Sequence, residues 1–342
     1  MRTSIEWTDE TWSPVRGCAL VSAGCANCYA MKQAHRFSGK GQAYEGLTEL
    51  GPQGPRWNGT IRLVPEVLDA PLRWKKPRRI FVNSMSDLFH EDVPDEFIVN
   101  VYAVMVAASW HTFQVLTKRP ERRRYLLNAP SFREWVAQRA AKLINALRGD
   151  RSLSATENLA KWNAGQAVNI HEGVSVEDQK TADERIPILL QTPAAVRFVS
   201  AEPLLWPVDC STYLQLPKTF EGMMTPRQAW NVLLDWVIVG GESGPGARPM
   251  HPAWVRSLRD QCQAAGVPFF FKQWGEWTPG ENVRRRTGVA KTASWFNSAW
   301  NIGSERLSSN DVHRDDEPDL YRVGKKAAGA MLDGRMWREM PK

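Results

Sequence analysis

Six runs of one kind punctuate this 342-residue chain. Each is a short apolar, β-branched stretch that ends in polar or glycine residues. They are RIFVNSMSD (79–87), TFQVLTKR (112–119), VNIHEGVSVED (168–178), VRFVSAEPL (196–204), DWVIVGGESG (235–244) and PFFFKQWGE (268–276). Polar and apolar residues alternate little within them, the pattern of parallel strands covered on both faces. Helix-forming stretches lie between. DEFIVNVYAVMVAAS (95–109) follows Pro94, a residue suited to a helix N-terminus. EDQKTADERIPILLQ (177–191) is amphipathic in its first half, and HPAWVRSLRDQCQAAG (251–266) closes on Gly266.

Strands alternating with helices predict βαβ units and a parallel sheet. One more strand is expected before Cys18. The fold class is therefore α/β, a partial or full (β/α) barrel of about six to seven parallel strands, with a doubly wound open sheet as the alternative. Residues 1–277 are assigned to this barrel-like domain. Residues 278–342 are polar, basic and poorly periodic, and are assigned to a C-terminal accessory or lid region. Residues 39–72 read as a Gly/Pro-rich loop and 133–166 as a helical insertion.

In such folds function gathers at the carboxyl ends of the strands. The residues there are Asn83, Ser84, Ser86 and Asp87, then Thr117, Lys118 and Arg119. Ser175 with Glu177 and Ser200 with Glu202 follow, then Gly240, Gly241, Glu242 and Ser243, and last Lys272, Gln273 and Trp274. Serine and aspartate there also serve as ordinary helix caps. Lys118, Glu177, Glu202, Glu242 and Lys272 are costly to bury unless they serve a ligand or a partner. Glu177, Glu202 and Lys272 are the candidates for binding ligand or moving protons. Two glycines after a strand let a ligand approach the backbone, and Glu242 can accept from an amine or a ribose hydroxyl.

A second feature carries chemistry directly. GCALVSAGCANCYA (17–30) holds three of the five cysteines, Cys18, Cys25 and Cys28, spaced C-x6-C-x2-C. The N-terminus MRTSIEWTDE has no secretory character, and no apolar run approaches the roughly 20 residues that cross a bilayer. A cytoplasmic protein without a membrane partner is expected. Clustered cysteines there bind metal more often than they form disulfides. Gly17 and Gly24 each precede a cysteine and permit tight turns. Two ligand sets fit. His35 could complete a Cys3His zinc site, at a spacing longer than usual. Alternatively the three thiolates hold a [4Fe–4S] cluster with one iron open to a ligand. Cys210 and Cys262 are expected to be buried thiols.

Lys plus Arg exceed Asp plus Glu by 44 − 37 = 7. The excess collects beside aromatics: Lys75, Lys76, Arg78 and Arg79 near Trp74, and Lys118, Arg119 and Arg122 to Arg124 near Tyr125, with a further run at Arg284 to Arg286. Such runs suit a nucleic acid or nucleotide, with Lys118, Arg119 and Arg122 to Arg124 as candidate phosphate contacts, or are simply solvated faces.

Long segments of the chain resemble a known family. They are IEWTDETWSPVRGCALVSAGCANCYA (5–30), FVNSMSDLFHEDVP (81–94), LTKRPER (116–122), GVSVEDQKTADERIPILLQTPAAVRFVSAEPLL (173–205), WVIVGGESGPGARPMHPAWVRSLRDQC (236–262), FFFKQWGEW (269–277) and GKKAAGAMLDGRMWREMP (324–341). They are similar to the phage Gp37/Gp68 family, a domain of unknown function also called the three-Cys-motif family. That family in turn resembles the radical S-adenosylmethionine superfamily. The resemblance implies a [4Fe–4S] cluster on Cys18, Cys25 and Cys28 whose open iron chelates S-adenosylmethionine. It implies reductive cleavage to a 5′-deoxyadenosyl radical, with an electron donor such as flavodoxin or ferredoxin. Asn83, Ser84, Ser86, Asp87, Lys118, Gly240, Gly241 and Glu242 are the candidates for holding the cofactor. The chain departs from the commoner superfamily pattern in two ways: six residues, not three, separate its first two cysteines, and its GGE follows a late strand rather than the second.

Overall fold

A computed structural model describes residues 3–52, 54–165, 169–215, 233–283, 287–307 and 320–341. Seven strands build one parallel sheet: β1 (Glu10–Trp12), β2 (Arg79–Val82), β3 (Thr112–Thr117), β4 (Ile170–Ser175), β5 (Val196–Ala201), β6 (Trp236–Gly240) and β7 (Phe269–Gln273). Each run singled out in the sequence is a strand, and β1 is the one expected before Cys18. Spatial order follows chain order, so the strand reversal of a doubly wound sheet does not occur. The sheet curls into a half-barrel whose edges, β1 and β7, do not pair with each other, so the barrel is partial rather than full. The β7 edge is met by the C-terminal segment instead. Phe270 bridges Arg338, Phe271 N–H donates to the Trp337 carbonyl at 2.9 Å, and Trp236 Nε1–H donates to the Glu339 carbonyl at 3.0 Å.

Among the described residues the helices longer than four residues are α1 (Tyr29–His35), α2 (Asp95–Ala107), α3 (Pro120–Asn128), α4 (Pro130–Ile144), α5 (Asp150–Asn163), α6 (Gln179–Leu190) and α7 (Pro252–Ala265). Their starts and stops are local. Pro94 precedes α2, and Asp95 and Glu96 in its first turn suit the helix dipole. Asp178 and Thr181 cap α6 reciprocally, and Gly266 ends α7 in the left-handed conformation. The strands sort their side chains by parity. Ile80, Val82, Phe113 and Val115 pack with α2, while Val237, Val239, Phe269 and Phe271 pack with residues of α6 and α7. The opposite parity, with Phe81, Phe198, Trp236, Ile238 and Phe270, gathers around Trp7.

Residues 39–72 are not merely a loop. A hairpin pairs Thr48–Gly51 with Gly54–Trp57, and buried Trp57 packs with Ala30, Met31 and Ala34 of α1. Their apolar side chains bury together beside the cysteine loop, which glycine and proline content alone did not indicate. The last layer is an antiparallel sheet of β8 (Trp277–Pro279), β9 (Gly288–Phe296), β10 (Ala299–Leu307) and β11 (Leu320–Arg322), in the order β8-β11-β9-β10. Among the described residues no helix is long and apolar enough to cross a membrane.

Arg123 on α3 is fully buried. It donates to Glu172 at 3.3 Å and to the Gly173 carbonyl at 2.7 Å, and Tyr102 Oη–H donates to the same Glu172 at 2.7 Å. Arg123→Ala should destabilise the fold by about 3–5 kcal/mol, because it strands a buried carboxylate. Urea unfolding checks this, and an unchanged midpoint would remove Arg123 from the framework.

Candidate functional site

The cysteine loop connects β1 to α1 across the carboxyl edge of the sheet. Gly17 bridges to Ser86 beyond β2 with φ +90°, and a side chain there would run into the Thr60 carbonyl. Ala23–Cys25 forms a single 3-10 turn, and Cys28 immediately precedes α1.

Two carboxylates, one beyond β4 and one beyond β6, hold this loop. Beyond β4, fully buried Glu177 accepts from Ser22 Oγ at 2.8 Å, from Lys118 Nζ, and from Arg185 Nη1 at 3.2 Å. Burial pushes the Glu177 carboxyl up. Lys118 and Arg185, with hydrogen bonds from Lys118 and Ser22, outweigh it and hold the group below the ordinary glutamate range. Gly24 rests directly on this carboxylate, since a Cβ built there would lie 2.5 Å from Glu177 Oε1. Beyond β6, Glu242 accepts from Asn27 Nδ2 at 3.0 Å and from Arg248 Nη2 at 2.6 Å, while Arg248 also donates to the Ala23 carbonyl at 3.0 Å. Residues 22–27, with Cys25 among them, are thus tied at both ends to buried charge.

Inside this frame lies a cavity of about 460 Å³. Its wall includes Cys18, Cys25 and Cys28, together with Asn83, Ser84, Ser86, Asp87, Lys118, Arg119, Glu202, Gly241, Glu242 and Lys272. The strand-end residues singled out in the sequence therefore do converge, with three exceptions: Trp274 is buried in the core, and two more lie behind the wall. Glu177 lies behind the wall, and so does Gly240, whose missing side chain leaves room for Glu202 Oε1, 2.6 Å from where a Cβ would stand. The Gly241 position is filled in the same way by the Trp274 carbonyl. The missing side chains of the pair make room for the protein's own atoms, while Gly241 still presents its backbone to the cavity. Glu242 is already committed to Asn27 and Arg248, so its carboxylate is not a free acceptor.

The other polar ends are also engaged. Asp87 accepts from Thr117 Oγ1 at 2.7 Å, the Lys118 backbone N–H at 3.1 Å and Arg119 Nη1 at 3.2 Å. Ser84 offers its carbonyl to Tyr29 Oη–H at 2.6 Å, and Ser86 Oγ donates to the Val15 carbonyl at 2.8 Å. Glu202 accepts from Ser200 Oγ at 2.9 Å and pairs with Lys272 Nζ at 3.0 Å. Burial pushes the Cys18 thiol up to about 12, helped by Asp87, and pushes Cys28 up as well. Thiols so placed ionise only when a cationic centre compensates them.

The basic runs behave differently from the polyanion track read from the sequence. Arg78 and Arg79 sit at the amino end of β2, away from the cavity, paired with Glu10 at 2.9 Å and Asp9 at 2.8 Å. Arg123 is buried against Glu172, so it cannot meet phosphate. Arg122 donates to the carbonyls of His90 and Val93 and to Asp95, and Arg124 donates to Gln191 at 2.6 Å. Arg284 to Arg286 lie outside the described residues. His35 faces Thr48, with Nδ1 3.1 Å from its hydroxyl, and does not join the cysteines. Among the described residues no three His, Cys, Asp or Glu side chains form a ready ligand set for one metal ion. Cys262, on α7, and Cys210 are buried in the same core. Sequence reading missed Ser22, Asn27, Arg185 and Arg248. Ser22 and Asn27 stand inside the cysteine motif, which was the one available signal.

Fold and site together define a half-barrel protein with a three-cysteine loop across its mouth. The chain belongs to the family described as a protein of unknown function (DUF5131), whose model matches residues 2–341. No curated protein is significantly similar in sequence. Two solved structures of spore photoproduct lyase are similar. One, complexed with dinucleoside spore photoproduct, has TM-score 0.34 and 10% identity, covering 87% of this chain and 67% of that one. The other, a cysteine-to-serine mutant, has TM-score 0.33 and 10% identity, covering 87% and 68%.

Proposed function

We propose that this protein is a radical S-adenosylmethionine-type iron–sulfur enzyme acting on a nucleic acid or nucleotide. One observation carries the proposal: three thiols of one loop share a single cavity at the carboxyl edge of a parallel half-barrel. The donor set fits a cluster, because soft thiolates select iron–sulfur or zinc, and neither His35 nor a carboxylate adds a fourth ligand that would close a zinc site. When bound, a [4Fe–4S] cluster with S-adenosylmethionine would supply one-electron reductive cleavage to a 5′-deoxyadenosyl radical, the electron coming from a donor of the flavodoxin or ferredoxin class. A cytoplasmic setting keeps such thiols reduced.

The chain's own residues would do the rest. Cys18, Cys25 and Cys28 would hold the cluster. Ser84, Ser86, Asp87, Lys118 and Gly241 would shape the cofactor side of the cavity, and Asn83 would stand where that side meets the substrate. Glu242 and Glu177 would act as positioning residues that set the loop. The Glu202–Lys272 pair opens on the cavity and would hold or pass a proton between Lys272 Nζ and Glu202 Oε1. Residues 1–277 would form the catalytic unit and 278–342 the accessory region.

Anaerobic reconstitution with iron and sulfide should give a brown protein. Reduced and mixed with S-adenosylmethionine, it should release 5′-deoxyadenosine, read by mass spectrometry. A colourless protein carrying one stoichiometric zinc would overturn the assignment.

A further inference from the structure

We infer that the floor of the cavity is a nucleobase-reading subsite formed by Trp7, Asn83 and Gln273, with Lys325 at the rim to meet the attached phosphate. This rests on the cavity being the substrate site proposed above and names what enters it.

Three buried polar atoms on the cavity-lining residues have no protein partner: Trp7 Nε1, Asn83 Nδ2 and Gln273 Oε1. In two of them the other end of the amide is fixed. Asn83 Oδ1 accepts from the Val15 N–H at 3.3 Å, and Gln273 Nε2 donates to Ser243 Oγ at 3.1 Å. Each side chain is thereby oriented with one hydrogen-bonding atom left over. Buried polar groups are normally satisfied, and several unsatisfied ones around one cavity point to a ligand that completes them. The set comprises two donors and one acceptor. It calls for a ring edge with two acceptors and one donor, which a nucleobase supplies. The same region is aromatic: the Trp7 and Phe81 rings lie 4.6 Å apart, and Phe81 lines the cavity. Aromatic faces beside a few fixed polar atoms suit a flat heterocycle.

The rim adds the second half. The other charged residues on the wall have protein partners, as described above. Among the described residues Lys325 lines the cavity, is exposed and has no ion-pair partner. It comes from the C-terminal region, so the accessory part of the chain would complete the site. Among the described residues, Arg78, Arg79, Arg119 and Arg122 to Arg124 are engaged by protein partners. The surface therefore favours one inserted nucleotide over a long duplex track, whether that nucleotide is free or extruded from a strand.

The test is calorimetry on the anaerobically reconstituted full chain with saturating S-adenosylhomocysteine, so that the cofactor's own adenine is not the reporter. The probes are the four ribonucleoside monophosphates, their nucleosides, ribose phosphate and a short single-stranded oligonucleotide. At least one monophosphate should bind about tenfold or more tighter than ribose phosphate. Lys325→Ala should weaken that monophosphate about tenfold and leave its nucleoside unchanged. Gln273→Met should weaken nucleosides and leave ribose phosphate unchanged. Asn83→Asp, which keeps a residue tolerant of the positive φ there, should change the order of preference among bases. A tighter oligonucleotide would place the nucleotide in a strand, and a tighter monomer would make it free. Equal binding of ribose phosphate and nucleotides, or displacement of the nucleotide by S-adenosylhomocysteine, overturns the subsite. Release of 5′-deoxyadenosine is scored separately, so failure of the radical reading would leave this result standing, and the reverse.

Discussion

Alanine at any one of Cys18, Cys25 or Cys28 should leave a folded protein that retains no cluster and releases no 5′-deoxyadenosine above background. The three thiols are only partly buried, and none belongs to the main cores. Cys18 and Cys28 merely border the small cluster of Ala30, Met31, Ala34, Leu47 and Trp57. Truncating them should therefore cost stability well below the roughly 2–5 kcal/mol of a core truncation. The cofactor effect is of another order, because the carboxylates on the same wall, Asp87, Glu202 and Glu242, are already engaged by Arg119, Lys272 and Arg248. Iron and sulfide content, the visible spectrum and circular dichroism together check the prediction. Cys210→Ala and Cys262→Ala are the controls and should keep full iron content, since both thiols lie in the far core. Full iron in a Cys25→Ala protein would remove that loop from the metal site.

Glu177→Gln and Gly24→Ala should both loosen the cluster while the half-barrel stays intact. Glu177 is ionised and fully buried between Lys118 and Arg185, and it receives Ser22 from the cysteine loop. Glutamine keeps the shape but removes the charge that two cations and a hydroxyl converge on. Gly24→Ala acts from the other side. Its Cβ would meet Glu177 Cγ and Oε1 at 2.5 Å, so loop or carboxylate must move. Supporting residues of this kind typically change metal retention by about 10–100-fold. The measurement is the rate of iron loss to a chelator, with thermal unfolding followed in parallel. Removing the carboxylate altogether, as in Glu177→Ala, leaves two buried cations facing each other and should also cost about 3–5 kcal/mol. The pH dependence has a definite sign. The folded carboxyl sits below its ordinary value, so its stabilisation is complete at neutral pH and is lost as pH falls through the folded value. Iron retention in wild type should fall on acidification, and Glu177→Gln should flatten that dependence. Wild-type retention in both variants would show that the carboxylate does not set the loop.

Much of the frame was legible because it follows from local chemistry. An apolar β-branched run ending in Asn, Lys, Glu or Gly marks a buried strand and its functional end without knowledge of its neighbours, and every such run is a strand. The helix boundaries at Pro94 and Gly266 are equally local. What failed was the inference from residue type to role. Arg123 reads as a phosphate contact in KRPERRR, yet it lies inside, because α3 turns that residue toward Glu172. The Gly240–Gly241 pair reads as room for a ligand, yet the missing side chains accommodate Glu202 and the Trp274 carbonyl.

The amino-acid sequence by itself determined the strand–helix alternation, the carboxyl-edge location of the polar residues and the identity of the three thiols. Each depends on hydrophobic pattern or on side-chain chemistry carried by neighbours in the chain. Only the tertiary structure decided that the sheet stops at half a barrel, with the C-terminal segment along its β7 edge. It alone decided that Glu177 and Glu242, 65 residues apart in the chain, grip one six-residue loop. Such pairings join residues distant in sequence, and whether a charge faces a ligand or a partner is set by what folds against it.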